Sequence, residues 1–173
     1  KGLCIITAGF KETGKEGAEV EKQLLAKVRE YGMRCVGPNC LGVVNTHPDI
    51  RMDGCFAESL PERGNIGFVS QSGALGGGIL NILKDLNLGF AQFISIQNPA
   101  NFRKLASRIS KKKPILALKA GRSAAGASAA SSHTGSLAGA DKAANALLNQ
   151  SGVIREYSLK NLFATAKMFA TCP

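Results

Sequence analysis

Short apolar, β-branched runs alternate with segments of helical spacing along this chain. That alternation limits the fold more than any other feature. Leu3 to Thr7 reads as a buried strand. From Glu16 to Gly32 the apolar residues Ala18, Val20, Leu24, Leu25, Val28 and Tyr31 fall close to helical spacing. Gly32 stands where a helix ends. Arg34-Cys35-Val36 is a second short strand. Strand, helix and strand in this order predict a βαβ unit with two parallel strands.

The same rhythm resumes later. Asn65 to Val69 is a strand, Ser70-Gln71-Ser72-Gly73-Ala74-Leu75 turns sharply, and a helix runs to about Leu86. Phe90 to Ile96 is a strand, Asn101 to Ile109 a helix, and Ile115 to Lys119 a strand. Helical patterns follow from about Leu137 to Asn149 and from Ser158 to Phe169, with no strand after the last. Thr46 to Gly64, with two prolines and no clear period, reads as a linker. The expected fold class is therefore α/β, with two flavodoxin-like or Rossmann-like parallel-sheet domains. The expected division is 1–46 as a truncated first domain, 47–63 as linker, 64–150 as the second domain and 151–173 as the start of a connection.

A length of 173 residues suits one domain or two small ones. No apolar run approaches about 18 residues, so no membrane-spanning helix is expected. The opening Lys1 to Thr7 is too short for a signal peptide, and without an initiator Met it reads as the interior of a longer protein. Five cysteines, odd in number and without a C-x-x-C pair, predict reduced thiols in a cytoplasmic setting and no metal site. The net charge of +10 suits a nucleic acid, an acidic partner or a phosphate-rich ligand. The basic residues are scattered apart from Lys111-Lys112-Lys113, and no aromatics are interleaved with them. Nucleic acid is accordingly not expected.

Three stretches can carry chemistry. Ser131-Ser132-His133-Thr134-Gly135-Ser136-Leu137-Ala138-Gly139 sets a histidine among small residues just before a helix. Free backbone N–H groups there would welcome a phosphoryl group, and imidazole is a competent nucleophile toward phosphorus. Residue type alone nevertheless favours a solvated loop histidine that merely helps begin a helix. Ser70-Gln71-Ser72-Gly73 joins strand to helix in the geometry that offers N–H groups and a positive helix end to an anion. It lacks both the P-loop lysine and the dinucleotide glycine fingerprint, which sets aside a nicotinamide oxidoreductase. Gly76-Gly77-Gly78 inside that helix costs about 1 kcal/mol per residue against Ala, so close packing or ligand approach is expected there. Gly37-Pro38-Asn39-Cys40-Leu41-Gly42 forms a tight loop at a strand's carboxyl end, where ligand crevices of open α/β sheets lie. Asn39 and Cys40 are thus candidate contacts, with plain turn chemistry an equal reading. His47, before Pro48, reads as a surface residue.

Taken in order, Gly37–Gly42, Gly64–Leu75, Lys119-Ala120-Gly121-Arg122-Ser123 and Ser131–Gly139 resemble the NDP-forming acyl-CoA synthetases. That family includes ADP-forming acetyl-CoA synthetase and, more distantly, the succinyl-CoA synthetase α subunit. The resemblance implies a reversible reaction. Acyl-CoA and phosphate give an acyl phosphate, a histidine takes the phosphoryl group, and ADP or GDP receives it with Mg2+ in an ATP-grasp domain. His133 matches the phosphorylated histidine. Ser70, Gln71, Ser72, Gly73, Thr134 and Gly135 match phosphate-binding positions, with Asn39 and Cys40 beside them. Ile6, Thr7 and Ala8 match the strand end that contacts coenzyme A. Gly77 stands where the succinate enzymes carry a tyrosine near the acyl group, which suggests a different acid. The implied partners are an ATP-grasp domain or β subunit, acyl-CoA and phosphate, with no nucleic acid or membrane, in a cytoplasmic oligomer. The alternative is a degenerate copy of this region, a CoA-ligase-like regulatory or binding module such as some protein acetyltransferases carry. Three departures matter. The amino-terminal half of the coenzyme A domain, with its glycine-rich phosphate loop, is absent from this sequence, and so are the ATP-grasp domains. At Ile96-Gln97-Asn98 relatives carry several tens more residues, among them a strand and the glutamate that orients the phosphohistidine.

Overall fold

The computed structural model describes residues 1–95, 102–120 and 141–172. It divides into two compact units, Lys1–Asn98 and Pro99–Pro173.

In the first unit, β1 (Gly2–Cys4) and β2 (Arg34–Val36) pair in parallel around α1 (Lys15–Glu30), the expected βαβ arrangement. Gly32 takes φ +60°. Its N–H donates to Arg29 O at 3.0 Å, and Met33 N–H donates to Val28 O at 2.9 Å, so a left-handed glycine closes the helix. β1 is shorter than the expected Leu3–Thr7 strand. Its partner ends at Val36, and Pro38 follows with no N–H to extend the ladder.

A second sheet has the order β4-β3-β6-β5. β5 (Arg63–Ser70) and β6 (Phe90–Ser95) are parallel and joined through α2 (Gly73–Leu86). β3 (Gly42–Asn45) runs antiparallel to β6 and forms a hairpin with β4 (Met52–Cys55). Residues 47–63 therefore are not the plain linker that composition suggested. β4 reads Met-Asp-Gly-Cys, with no alternation to betray it, and β3 supplies its pairing. Ile79, Leu80 and Leu83 of α2 are fully buried, as are Phe90 and Phe93 of β6, and Phe68 stacks on both rings at 5.0 and 5.9 Å. This is where the unit concentrates its apolar burial.

In the second unit, β7 (Leu116–Leu118) and β8 (Ile154–Glu156) are parallel neighbours. They are accompanied by α3 (Phe102–Ile109), α4 (Asp141–Gln150) and α5 (Leu159–Thr171). Ala106, Leu148 and Val153 are buried, with Phe102, Ile115 and Ala117 packed against them. β8 is absent from the pattern reading, because Ile-Arg-Glu is too short and polar to signal a strand. A parallel partner and the Arg155–Asp141 ion pair supply what its own residues do not. Among the described residues no helix is long and apolar enough to cross a membrane.

Candidate functional site

The turn from β5 into α2 is built by two serines. Ser70 is buried at the strand end, and its hydroxyl donates to Ser72 O at 2.7 Å while accepting the Ser72 N–H at 3.2 Å. Ser72 Oγ in turn accepts the Leu75 N–H at 3.2 Å, and Ser72 O takes the first helical bond from Gly76 at 2.9 Å. Ser72 is thus the helix N-cap. The N–H groups of Gly73 and Ala74 point out of the first turn without an acceptor among the described residues. An anion would meet them at the positive end of the helix. Of the matched phosphate-binding positions, Ser72 has its N–H taken by Ser70, which leaves those of Gly73 and Ala74 open among the described residues. Ala74 carried no signal in its side chain, since only its backbone position matters.

The loop from Gly37 to Gly42 leans on the end of β1. Gly37 has φ +94°, and a Cβ there would lie 2.1 Å from Ile5 O, so only glycine fits. Asn39, itself at φ +51°, donates its N–H to Thr7 O at 3.0 Å. Cys40 is buried and its thiol donates to Ile5 O at 3.3 Å. Leu41 reaches the other way: a Cβ built on Gly73 or Gly77 would lie 3.7 or 3.8 Å from its side chain. One loop therefore connects Thr7, Asn39 and Cys40 to the first turns of α2. Of the three consecutive glycines, Gly76 is pressed on Phe93, Gly77 faces Leu41, and Gly78 looks into space open among the described residues.

Ile6, Thr7 and Ala8 are exposed beyond the end of β1. The N–H groups just after them are already taken, since Glu12 Oε1 accepts from Gly9 at 2.7 Å and from Phe10 at 3.2 Å. Burial is the largest single influence on the Glu12 carboxyl and raises its pKa, but the bonds from its own N–H and from Gly9 and Phe10 together outweigh it and hold the pKa below the usual carboxylate value. The sequence reading overlooked Glu12; its place two residues after Gly9-Phe10 in a tight turn is the signal that could have found it. Burial, reinforced by Cys4, pushes the Cys40 thiol up to about 11. The thiols of Cys35 and Cys55 are raised as well, by burial first.

His133, Thr134 and Gly135 lie outside the described residues. Among the described residues no cluster of His, Cys, Asp or Glu could hold a metal ion. His47 is exposed as expected and accepts the Asp49 N–H at Nδ1. The net charge of +10 falls wholly in the second unit. After Asn98 the chain has 12 basic residues and only two acidic ones, Asp141 and Glu156. Arg103, Lys104, Arg108 and Lys111-Lys112-Lys113 are all exposed there.

Comparison with known proteins gives this geometry its class. Residues 95–169 match the succinyl-CoA ligase like flavodoxin domain. Over 98% of its length the chain is 40% identical to the α subunit of acetate–CoA ligase [ADP-forming] II of Pyrococcus furiosus, covering 43% of that protein. It is 38% identical over its full length to 4-hydroxybutyrate–CoA ligase [ADP-forming] of Nitrosopumilus maritimus, covering 30% of it. The dinucleotide forming acetyl-coenzyme A synthetase 1 of Ca. Korarchaeum cryptofilum, solved with phosphate and ADP, superposes with a TM-score of 0.88 at 32% identity. That likeness covers the whole chain and 44% of the solved one. Along nearly its whole length the chain is similar to NDP-forming acyl-CoA synthetases, and it spans less than half the length of these relatives. The match with the first relative runs over 200 positions although the chain has 173 residues, so that relative carries additional residues inside the shared span.

Proposed function

We propose that this chain is the phosphohistidine-bearing part of an NDP-forming acyl-CoA synthetase, which converts acyl-CoA, phosphate and NDP reversibly into carboxylic acid, coenzyme A and NTP. The observation that carries the reading is the serine-capped start of α2, with two outward N–H groups, in a chain matching ADP-forming ligases along nearly all its length. In this reading residues 1–46 belong to the coenzyme A domain, and the ligase domain runs past the expected limit at 150 to take in β8 and α5. Ile6, Thr7 and Ala8 flank coenzyme A, and Asn39 and Cys40 line the passage to phosphate. Phosphate attacks the thioester carbonyl and expels the thiolate of coenzyme A, leaving an acyl phosphate. His133 then attacks phosphorus and releases the carboxylate, with Thr134 and Gly135 beside it. Gly73 and Ala74 donate to the phosphoryl oxygens through charge-assisted hydrogen bonds at a helix end, while Ser70, Gln71 and Ser72 hold that end in shape. Gly77 borders the acyl group. The nucleotide and Mg2+ belong to an ATP-grasp domain or β subunit that completes the cycle, in a cytoplasmic oligomer. The basic second unit suits approach to polyphosphate.

One observation favours a second reading. The shared span is longer in the first relative than here. If the missing residues include the carboxylate that orients the histidine, the region serves as a coenzyme A-responsive binding module. Incubation of the full-length protein and its nucleotide-binding partner with radiolabelled ATP separates the two. An acid-labile, base-stable label that vanishes in His133→Asn establishes the phosphohistidine. Absence of label with intact coenzyme A binding establishes the module.

A further inference from the structure

Four of the five cysteines come from separate elements of the first unit: Cys4 from β1, Cys35 from β2, Cys40 from the Gly37–Gly42 loop and Cys55 from β4. Two of them meet. The sulfurs of Cys4 and Cys40 lie 4.0 Å apart, 36 residues distant in the chain. A disulfide needs about 2.05 Å between sulfurs, so roughly 2 Å of approach through side-chain rotation closes the gap. Cys35 is poorly placed to compete. It stands opposite Leu3 in the ladder, while Cys4 stands opposite Val36, and successive residues of a strand face opposite ways.

We propose that Cys4 and Cys40 form an oxidisable dithiol site that a hydroperoxide converts into a disulfide clasp between β1 and the Gly37–Gly42 loop. The two sulfurs have unequal roles. Cys4 is exposed and meets the oxidant, whereas Cys40 is buried and stays protonated near neutral pH. The Cys4 thiolate attacks one peroxide oxygen, the O–O bond breaks, and Cys4 becomes a sulfenic acid as hydroxide leaves. Cys40 sulfur then attacks the sulfenic sulfur, its proton joins the departing hydroxyl, and water leaves as the S–S bond forms. The sum is two thiols and one hydrogen peroxide to one disulfide and two waters. Proximity supplies the effective concentration for the second step. Closing the clasp draws Cys40 Sγ from Ile5 O and ties the loop that carries Asn39 to the strand whose end carries Thr7. This inference stands whether or not the chain transfers phosphoryl groups.

The test uses the full-length protein, exposed to hydrogen peroxide under native conditions, alkylated, digested with trypsin and sequenced by mass spectrometry. The expected product joins the peptide Gly2–Lys11 to the peptide Cys35–Arg51 with the loss of two hydrogen atoms, and dithiothreitol reverses it. The link persists in Cys35→Ser and is absent in Cys4→Ser, where Cys40 stays alkylatable. A link from Cys4 to Cys35 or Cys55 overturns the proposal. So does over-oxidation of Cys4 to sulfinic acid while Cys40 remains a free thiol.

Discussion

Adding one methyl group at each of two neighbouring glycines of α2 should have opposite effects. A Cβ on Gly76 would sit 2.9 Å from Phe93 Cζ, 3.2 Å from Cε2 and 3.4 Å from Ser70 Cβ. Phe93 is fully buried and stacked on Phe68, and Ser70 is tied to Ser72, so neither neighbour can readily move aside. Overpacking of this kind costs about 1–3 kcal/mol, against about 1 kcal/mol gained from helix propensity. Gly76→Ala should therefore range from nearly neutral to about 2 kcal/mol destabilising. A Cβ on Gly78 meets nothing among the described residues within 4 Å. Gly78→Ala should stabilise by about 1 kcal/mol, so the two variants should differ by about 1–3 kcal/mol. Because the chain holds two compact units, a global melt can mix their transitions. Amide hydrogen exchange of residues 66–94 isolates the relevant one. Equal protection in the two variants would refute the argument, since it would show that α2 stands off β6.

Ser72→Ala removes the cap on α2 and should cost about 1 kcal/mol, read as faster exchange of the Leu75 amide. Asp141→Ala leaves the Arg155 guanidinium almost wholly buried without its carboxylate. It should cost about 3 kcal/mol in urea unfolding, the low end for a buried pair because Asp141 is partly open to water, and Asp141→Ala/Arg155→Met should recover most of it. Glu12 has a folded-state pKa below its unfolded value. Its stabilisation is present above the ordinary value of 4.5 and is lost as pH falls through the folded value. Thermal unfolding followed downward through that range should show a smaller loss in Glu12→Gln than in the parent.

Much of this fold was legible because local patterns dictate it. Val20, Leu24 and Val28 mark one stripe of α1, Gly32 closes it, and the isoleucine, phenylalanine and valine of Ile66-Gly67-Phe68-Val69 announce β5. Of the elements missed, β4 and β8 are short and carry polar residues, so their strand character comes from a partner, and β3 offers only Val43-Val44 after a tight glycine loop. The turn at Ser70–Gly73 was readable as an anion-binding geometry. Its donors were not, because a hydrogen bond from one serine to the next decides which N–H groups remain.

Sequence alone determined the strand–helix alternation outside β3, β4 and β8, the glycine and proline turns, the place of His133 and the resemblance to acyl-CoA synthetases. These are statements about neighbours along the chain, where φ/ψ preference and apolar spacing act over a few residues. Tertiary structure alone decided that β3 lies against β6, that the loop carrying Asn39 docks on Thr7, and that Cys40 comes to rest beside Cys4. Such contacts depend on the burial of residues tens of positions apart, and that free energy exists only once the whole unit has collapsed around Phe90 and Phe93.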